Sequence, residues 1–314
     1  MATELLRFGI INQLIQSGTG RIILLIGEDG MRIPDRFLHC VGFISHDNPY
    51  PQYLGTAFIV GIAGKYGNAY LHAVTARHVA ECVEGGPFLM GVNFKDGKAG
   101  WFSGGPKWWY HPADANVDAA VTIFTPTERF DMEYIPETVF VNDESIRHYN
   151  IGVGDEISVI GLFTKFHGMT KHVPIVRTGN IAMMPSDKIP DKKGEEEVYL
   201  AEGRSIGGLS GSPVFVRHTV TIGGMASEDG EPQAISGAGR PHFLGLMRGH
   251  WDLPVAAHTQ QAEAVNMGIS IVVPAKKILE VLYHTELVAL REKQDEAILR
   301  EKSSTPDSGS SKRA

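Results

Sequence analysis

The stretch GTAFIVGIAGKYGNAYLHAVTARHV, residues 55–79, contains two apolar runs, Gly55–Ile62 and Tyr70–Thr75, parted by a break rich in Gly and Asn. Short apolar runs carrying β-branched and aromatic residues, bounded by turn formers, read as strands. The same alternation of run and break extends from Leu38 to about Pro274. It places further strands at Cys40–Ser45, Phe88–Phe94, Ala119–Phe124, Glu156–Phe163, Ile175–Met183, Ser212–Val216, Phe243–Met247 and Met267–Val273. So many strands with almost no long helix among them imply an all-β chain built as barrels or a sandwich.

Outside this region the pattern changes. Leu5–Ile15, Ser17–Gly20 and Ile22–Ile26 share no period with the rest of the chain, and Met31 opens the better-patterned segment and is an alternative start; residues 1–37 are set apart as an N-terminal extension. Ile22–Ile26 is too short to cross a bilayer and is followed by no small-residue cleavage site, so neither a signal peptide nor a membrane anchor is expected, and the chain is expected in the cytoplasm. Pro185–Glu197 and His218–Pro241 are polar and lack a hydrophobic period, which reads as exposed loops. After Pro274, Leu279, Tyr283, Leu287 and Leu290 recur at helical spacing with charges between them. This is an amphipathic helix, expected to dock on the last barrel, and beyond Leu299 the tail is too polar to order itself.

Composition excludes several classes. Of 314 residues, 36 are acidic and 29 basic, giving a net charge of −7, the wrong sign for a nucleic-acid partner. The two cysteines, Cys40 and Cys82, permit at most one disulfide, form no zinc-site spacing, and are expected to be buried thiols. Gly61–Lys65 lacks the leading glycine and the Ser/Thr of a phosphate-binding loop, so no nucleotide is expected. His72 lies six residues before His78, about 20 Å along a strand, which removes a metal pair. Trp108, Trp109 and Tyr110 fit core packing better than a ligand platform. No metal and no cofactor is expected, and nothing sets the oligomeric state.

Three positions carry chemistry. Gly208-Leu209-Ser210-Gly211-Ser212-Pro213 places Ser210 in a glycine-flanked turn just before an apolar run, where consecutive N–H groups can point at one spot. A serine there becomes a nucleophile only with a base in reach and a third group orienting that base. His78 ends the apolar run Val74-Thr75-Ala76-Arg77-His78, and Asp118 opens a run of small and apolar residues, where a carboxylate needs a partner. The order His78, Asp118, Ser210 excludes α/β-hydrolases, and Ser212 stands where their elbow needs its last glycine.

In these pieces the chain resembles the trypsin-like serine peptidases of the double β-barrel, chymotrypsin-like fold, in their disulfide-free bacterial-type branch. The matching pieces are Gly55–Val60, Thr75–His78, Asp118–Val121, Gly154–Ile157, Arg177–Ile181, the Ser210 motif and Phe243–Leu246, in the family's order. The resemblance implies two six-stranded antiparallel barrels followed by a C-terminal helix, in a peptidase domain over 38–285. The first barrel lies at about 38–130 with His78 and Asp118, the second at about 150–275 with Ser210, and 286–314 forms the helix end and tail.

It also implies a serine endopeptidase acting on a polypeptide substrate through an acyl-enzyme, with the N–H groups of Gly208 and Ser210 as oxyanion hole. Arg204, Arg248 and His250 fall near the family's specificity pocket, where a basic lining would favour an acidic side chain. Leu209 stands where animal members carry an acid that pairs with a freed N-terminus, so that route of activation is not expected. A catalytically silent binding or scaffold protein on the same fold, and an esterase with the same triad, remain alternatives.

Overall fold

The computed structural model describes residues 33–46, 52–191, 194–203, 207–217, 241–253 and 265–304. The extension before Ile33, most of the polar stretch 218–241, Arg204 and the tail after Ser304 lie outside the described residues.

The first half is an eight-stranded sheet. Its strands are β1 (Val41–His46), β2 (Tyr53–Ala63), β3 (Ala69–Thr75), β4 (Phe88–Asn93), β5 (Ala99–Gly104), β6 (Trp109–Tyr110), β7 (Ala120–Ile123) and β8 (Ile135–Pro136). They run in the order β5-β4-β1-β2-β3-β7-β6, with β8 alongside β2 in parallel. A short helix, α1 (Arg77–Glu81), follows β3 directly, and α2 (Asp143–Tyr149) precedes the second half.

The second half closes as a six-stranded barrel of antiparallel pairs. Around the ring run β10 (Ile175–Met183), β13 (Tyr199–Glu202), β16 (Val265–Pro274), β15 (His242–Leu253), β14 (Pro213–Arg217) and β9 (Glu156–Gly161). A separate hairpin, β11 (Ile189–Asp191) with β12 (Gly194–Glu196), stands off it. The polar stretch expected as a loop therefore carries two strands, and Glu196 within it is buried. Together the two halves form the expected all-β, chymotrypsin-like architecture with a helical C-terminus.

Aromatic side chains weld the halves. Phe58 of β2 lies 5.2 Å, ring to ring, from Phe243 of β15, and Phe37 lies 4.3 Å from Phe215 of β14. Phe37 is itself buried in a 3-10 turn, Asp35–Cys40, so the fold starts at least a few residues before Leu38.

The C-terminal region departs from expectation in two ways. It is two helices, α3 (Ala275–Leu282) and α4 (Thr285–Ser304), so helix continues past Leu299. And while α3 packs on β15 and β16 of the last barrel as expected, α4 docks on the first sheet: Tyr70 donates to Asp295 at 2.6 Å, Trp109 to Glu286 at 3.0 Å, and Arg291 meets His72 at 3.3 Å. The apolar spacing announced a helix but not its division between two surfaces. The polar pairs along α4 fix the second of these.

His72 is a structural residue, its Nδ1 on the Tyr70 carbonyl and its Nε2 facing Arg291. Burial, with the Arg291 charge added, lowers its pKa to about 4. Cys40 is buried as expected and burial pushes its thiol pKa up, whereas Cys82 is exposed, a correction; both are free. Trp108 and Trp109 are buried in the core.

Candidate active site

Strand register brings His78 to Asp118. In the antiparallel pair β3–β7, Thr75 stands opposite Ala120 and Val74 opposite Val121, so the residues after Thr75 and those before Ala120 leave the sheet at the same end. There α1 begins. The His78 backbone N–H donates to Asp118 Oδ1 at 3.0 Å and the ring Nδ1 to Oδ2 at 2.8 Å. Both oxygens of one carboxylate are used to hold one histidine, with Nδ1 as the donor and Nε2 left as the basic nitrogen. The Asp118 side chain is 11% exposed against 50% for His78. Burial alone raises the Asp118 pKa. The hydrogen bonds and charge of His78, with the nearby Arg248 charge, outweigh it and hold the carboxyl below its ordinary value.

Ser210 arrives from the other half on the turn that precedes β14. Gly208 and Gly211 take positive φ values of 100° and 85°, which side-chain-bearing residues rarely adopt. Beyond conformation, Gly211 has no room, since a Cβ there would overlap the Thr56 carbonyl oxygen and Thr75 Oγ1. The carbonyls of the turn are tied down one by one. Gly207 C=O accepts from Thr164 Oγ1 at 3.3 Å, Gly208 C=O from Thr56 Oγ1 at 2.8 Å, Leu209 C=O from Ser212 N–H at 3.0 Å and Ser210 C=O from Thr56 N–H at 2.8 Å. A trans peptide points its N–H opposite its C=O. Fixing the Gly207 and Leu209 carbonyls therefore aims the Gly208 and Ser210 N–H groups the other way, and among the described residues neither N–H has a partner.

The Ser210 hydroxyl donates to the Arg248 carbonyl oxygen at 3.1 Å, and among the described residues no hydrogen bond joins it to His78. Arg248 is the extra residue in a bulge of β15, between the pairs Met247–Val272 and Gly249–Ile271; a bulge re-aims a side chain. Its guanidinium turns toward the His78–Asp118 pair: Nη1 bonds Glu196 and Nε stands 3.8 Å from Asp118 Oδ2. A cleft of about 190 Å³ is lined by Arg77, His78, Glu81, Asp118, Glu196 and Arg248, with Ala115 and Asn116.

Of the six residues singled out in the sequence with side-chain roles, the structure joins His78 directly to Asp118 and sets Ser210 on the main chain of Arg248. Arg248 reaches Asp118 through its side chain, and its charge is engaged by Glu196. His250 sits two residues on, half-buried and opposite Ser270. Arg204 lies outside the described residues. Sequence reading missed Glu196 and the part played by Thr56. Glu196 has no distinguishing signal within the acidic run Glu195–Glu197, but Thr56 is a hydroxyl in an otherwise apolar strand, and such a group needs a partner. Among the described residues no cluster of His, Cys, Asp and Glu is placed to hold a metal ion, and no helix is long and apolar enough to cross a membrane.

No protein-family model matches the chain, and no curated protein matches it. Among solved structures the chain is similar to the MamO protease domain of Magnetospirillum magneticum, at 12% identity and a TM-score of 0.47, covering 78% of this chain and 96% of that one. It is also similar to a serine endoprotease of Yersinia pestis, at 14% identity and a TM-score of 0.44, covering 79% of this chain and 63% of that one. The strand order, the closed second barrel and the helical C-terminus give the chain the chymotrypsin-like all-β fold.

Proposed function

We propose that this chain is a serine endopeptidase in which Ser210 is the nucleophile, His78 the general base and then acid, and Asp118 the group that orients and stabilises His78. The observation that carries this reading is the two-point grip of Asp118 on His78, set opposite a turn whose N–H groups at 208 and 210 are unpaired among the described residues. In the reaction the Ser210 hydroxyl turns from the Arg248 carbonyl to His78 Nε2. Its oxygen then attacks the carbonyl carbon of a peptide while the proton passes to His78.

The carbonyl oxygen gains the negative charge and is received by the Gly208 and Ser210 N–H groups. The C–N bond breaks as His78 returns the proton to the leaving amine, and the remaining acyl group is on Ser210. Water, deprotonated by His78, releases it by the same steps. Asp118 stays ionised throughout, in keeping with its depressed pKa. A polypeptide is the proposed substrate, no cofactor takes part, and a cytoplasmic site of action belongs to the same proposal.

One observation favours the second reading, a silent binding protein: the resting Ser210 hydroxyl bonds main chain and not the base. A fluorophosphonate probe separates the two, because it labels an activated serine. Covalent labelling of the folded protein that is lost in both Ser210→Ala and His78→Ala is the outcome expected of the peptidase. A folded wild-type protein that takes no label overturns it. Peptide and ester substrates compared side by side then distinguish an endopeptidase from an esterase.

A further inference from the structure

The carboxylate that holds His78 has a second suitor. Arg248 Nε stands 3.8 Å from Asp118 Oδ2, the same oxygen that takes the His78 ring N–H at 2.8 Å. An arginine with full access to that oxygen competes with the imidazole for it, since a guanidinium is always charged and donates in a fixed fork. What it meets instead is Glu196, whose carboxylate bonds Nη1. Glu196 is 6% exposed and comes from the polar hairpin β11–β12, outside both the barrel and the sheet. The other charged groups lining the cleft beside His78 are Arg77 and Glu81, and these pair with each other at 2.7 Å.

We propose that Glu196 is a positioning residue: by engaging the Arg248 guanidinium it keeps that charge from taking over Asp118 Oδ2 and so leaves this oxygen to His78. The proposal rests on the peptidase reading for its catalytic consequence, but not for its geometry. Because the bulge at Arg248 also supplies the carbonyl that receives Ser210 Oγ, the placement of this one residue touches both ends of the site. Its side chain approaches the acid, and its main chain holds the nucleophile.

The test is a set of three full-length proteins, Glu196→Gln, Arg248→Gln and the double variant, compared with wild type. Glu196→Gln keeps shape and removes the negative charge, so Arg248 closes on Asp118. The expected results are a lost or upfield-shifted low-field proton resonance of the His78 Nδ1–H and a fall in kcat of roughly tenfold or more with little change in KM. The double variant has no arginine left to misplace. It is expected to recover the resonance and most of the rate, a non-additivity that independent structural damage does not produce.

A double variant as impaired as Glu196→Gln, or a Glu196→Gln protein with the wild-type resonance, overturns the proposal. Circular dichroism and urea unfolding of each variant identify one that fails to fold, and in that case Glu196→Asp, which keeps the charge, is expected to retain the resonance. If no protein in the set, wild type included, turns over substrate or takes a fluorophosphonate label, the peptidase reading falls while the resonance still decides the role of Glu196.

Discussion

Thr56 Oγ1 donates to the Gly208 carbonyl at 2.8 Å and accepts from the Leu162 N–H at 2.9 Å. One hydroxyl of the first sheet thus ties the Ser210 turn to the end of β9. Valine has the shape of threonine without the hydroxyl, so Thr56→Val leaves a buried acceptor and a buried donor unpaired. A loss of about 1–3 kcal/mol in stability is expected, with kcat falling more than KM rises, because the freed Gly208 carbonyl no longer holds the turn. Urea unfolding and steady-state kinetics check both, and Thr56→Ser, which restores the hydroxyl, is expected to recover most of each.

Gly211 is predicted to tolerate no side chain. Its φ of 85° strains any L-residue, and a Cβ would run into Thr56 and Thr75. Gly211→Ala is expected to cost roughly 2 kcal/mol or more and to abolish fluorophosphonate labelling. Thermal unfolding together with probe labelling tests this, and a stable, reactive Gly211→Ala protein contradicts the close approach.

Asp118→Asn keeps the size of the side chain but removes the charge and offers an N–H where His78 needs an acceptor. The imidazole then settles in the wrong tautomer, and kcat at neutral pH is expected to drop by roughly 10⁴. The depressed pKa of Asp118 also ties the residue to stability. Its contribution is present above the pKa of an unfolded aspartate and is lost as pH falls through the lower folded-state value. Acid unfolding of wild type and Asp118→Asn should therefore converge at low pH.

A second pH effect lies far from the site. His72 has a folded-state pKa of about 4 against an ordinary 6.5, so the unfolded chain binds the extra proton first. The stability this histidine supports is intact above pH 6.5 and is lost as pH falls from there toward 4. By pH 5 the loss amounts to about 2 kcal/mol. Urea unfolding at pH 7 and pH 5 measures it, and His72→Gln should remove that part of the slope. An unchanged slope means that the ring is protonated, or free to become so, in the folded state.

What could be read from the sequence depended on what each residue needs. Strands that bury apolar side chains declared themselves: the runs Ser212–Val216 and Tyr70–Thr75 match the observed strands to within a residue. Strands stabilised otherwise did not. Four of the six residues of Ala99–Gly104 are small, Tyr199–Glu202 is only four residues long, and β11–β12 is polar. The capping box at Asn142 and Ser145 is the local signal that starts α2. In the candidate site, His78, Asp118 and Ser210 stand out in the sequence because each borders a patterned run. The pairing of Arg248 with Glu196, fifty-two residues away, is not legible in the sequence, because it is set by a bulge and a hairpin that no local pattern encodes.

The docking of α4 on the first sheet has a consequence for how the molecule is born. His72 and its partner Arg291 are 219 residues apart, which at ordinary rates of translation is roughly 10–45 s. For that interval the nascent chain carries the strands beneath Tyr70, His72 and Trp109 without the helix that covers them, and one face of the half that bears His78 and Asp118 stays open to the solvent. Translation through Thr285–Ser304 therefore finishes the first half of the protein, and a chain cut short before that helix lacks its cover.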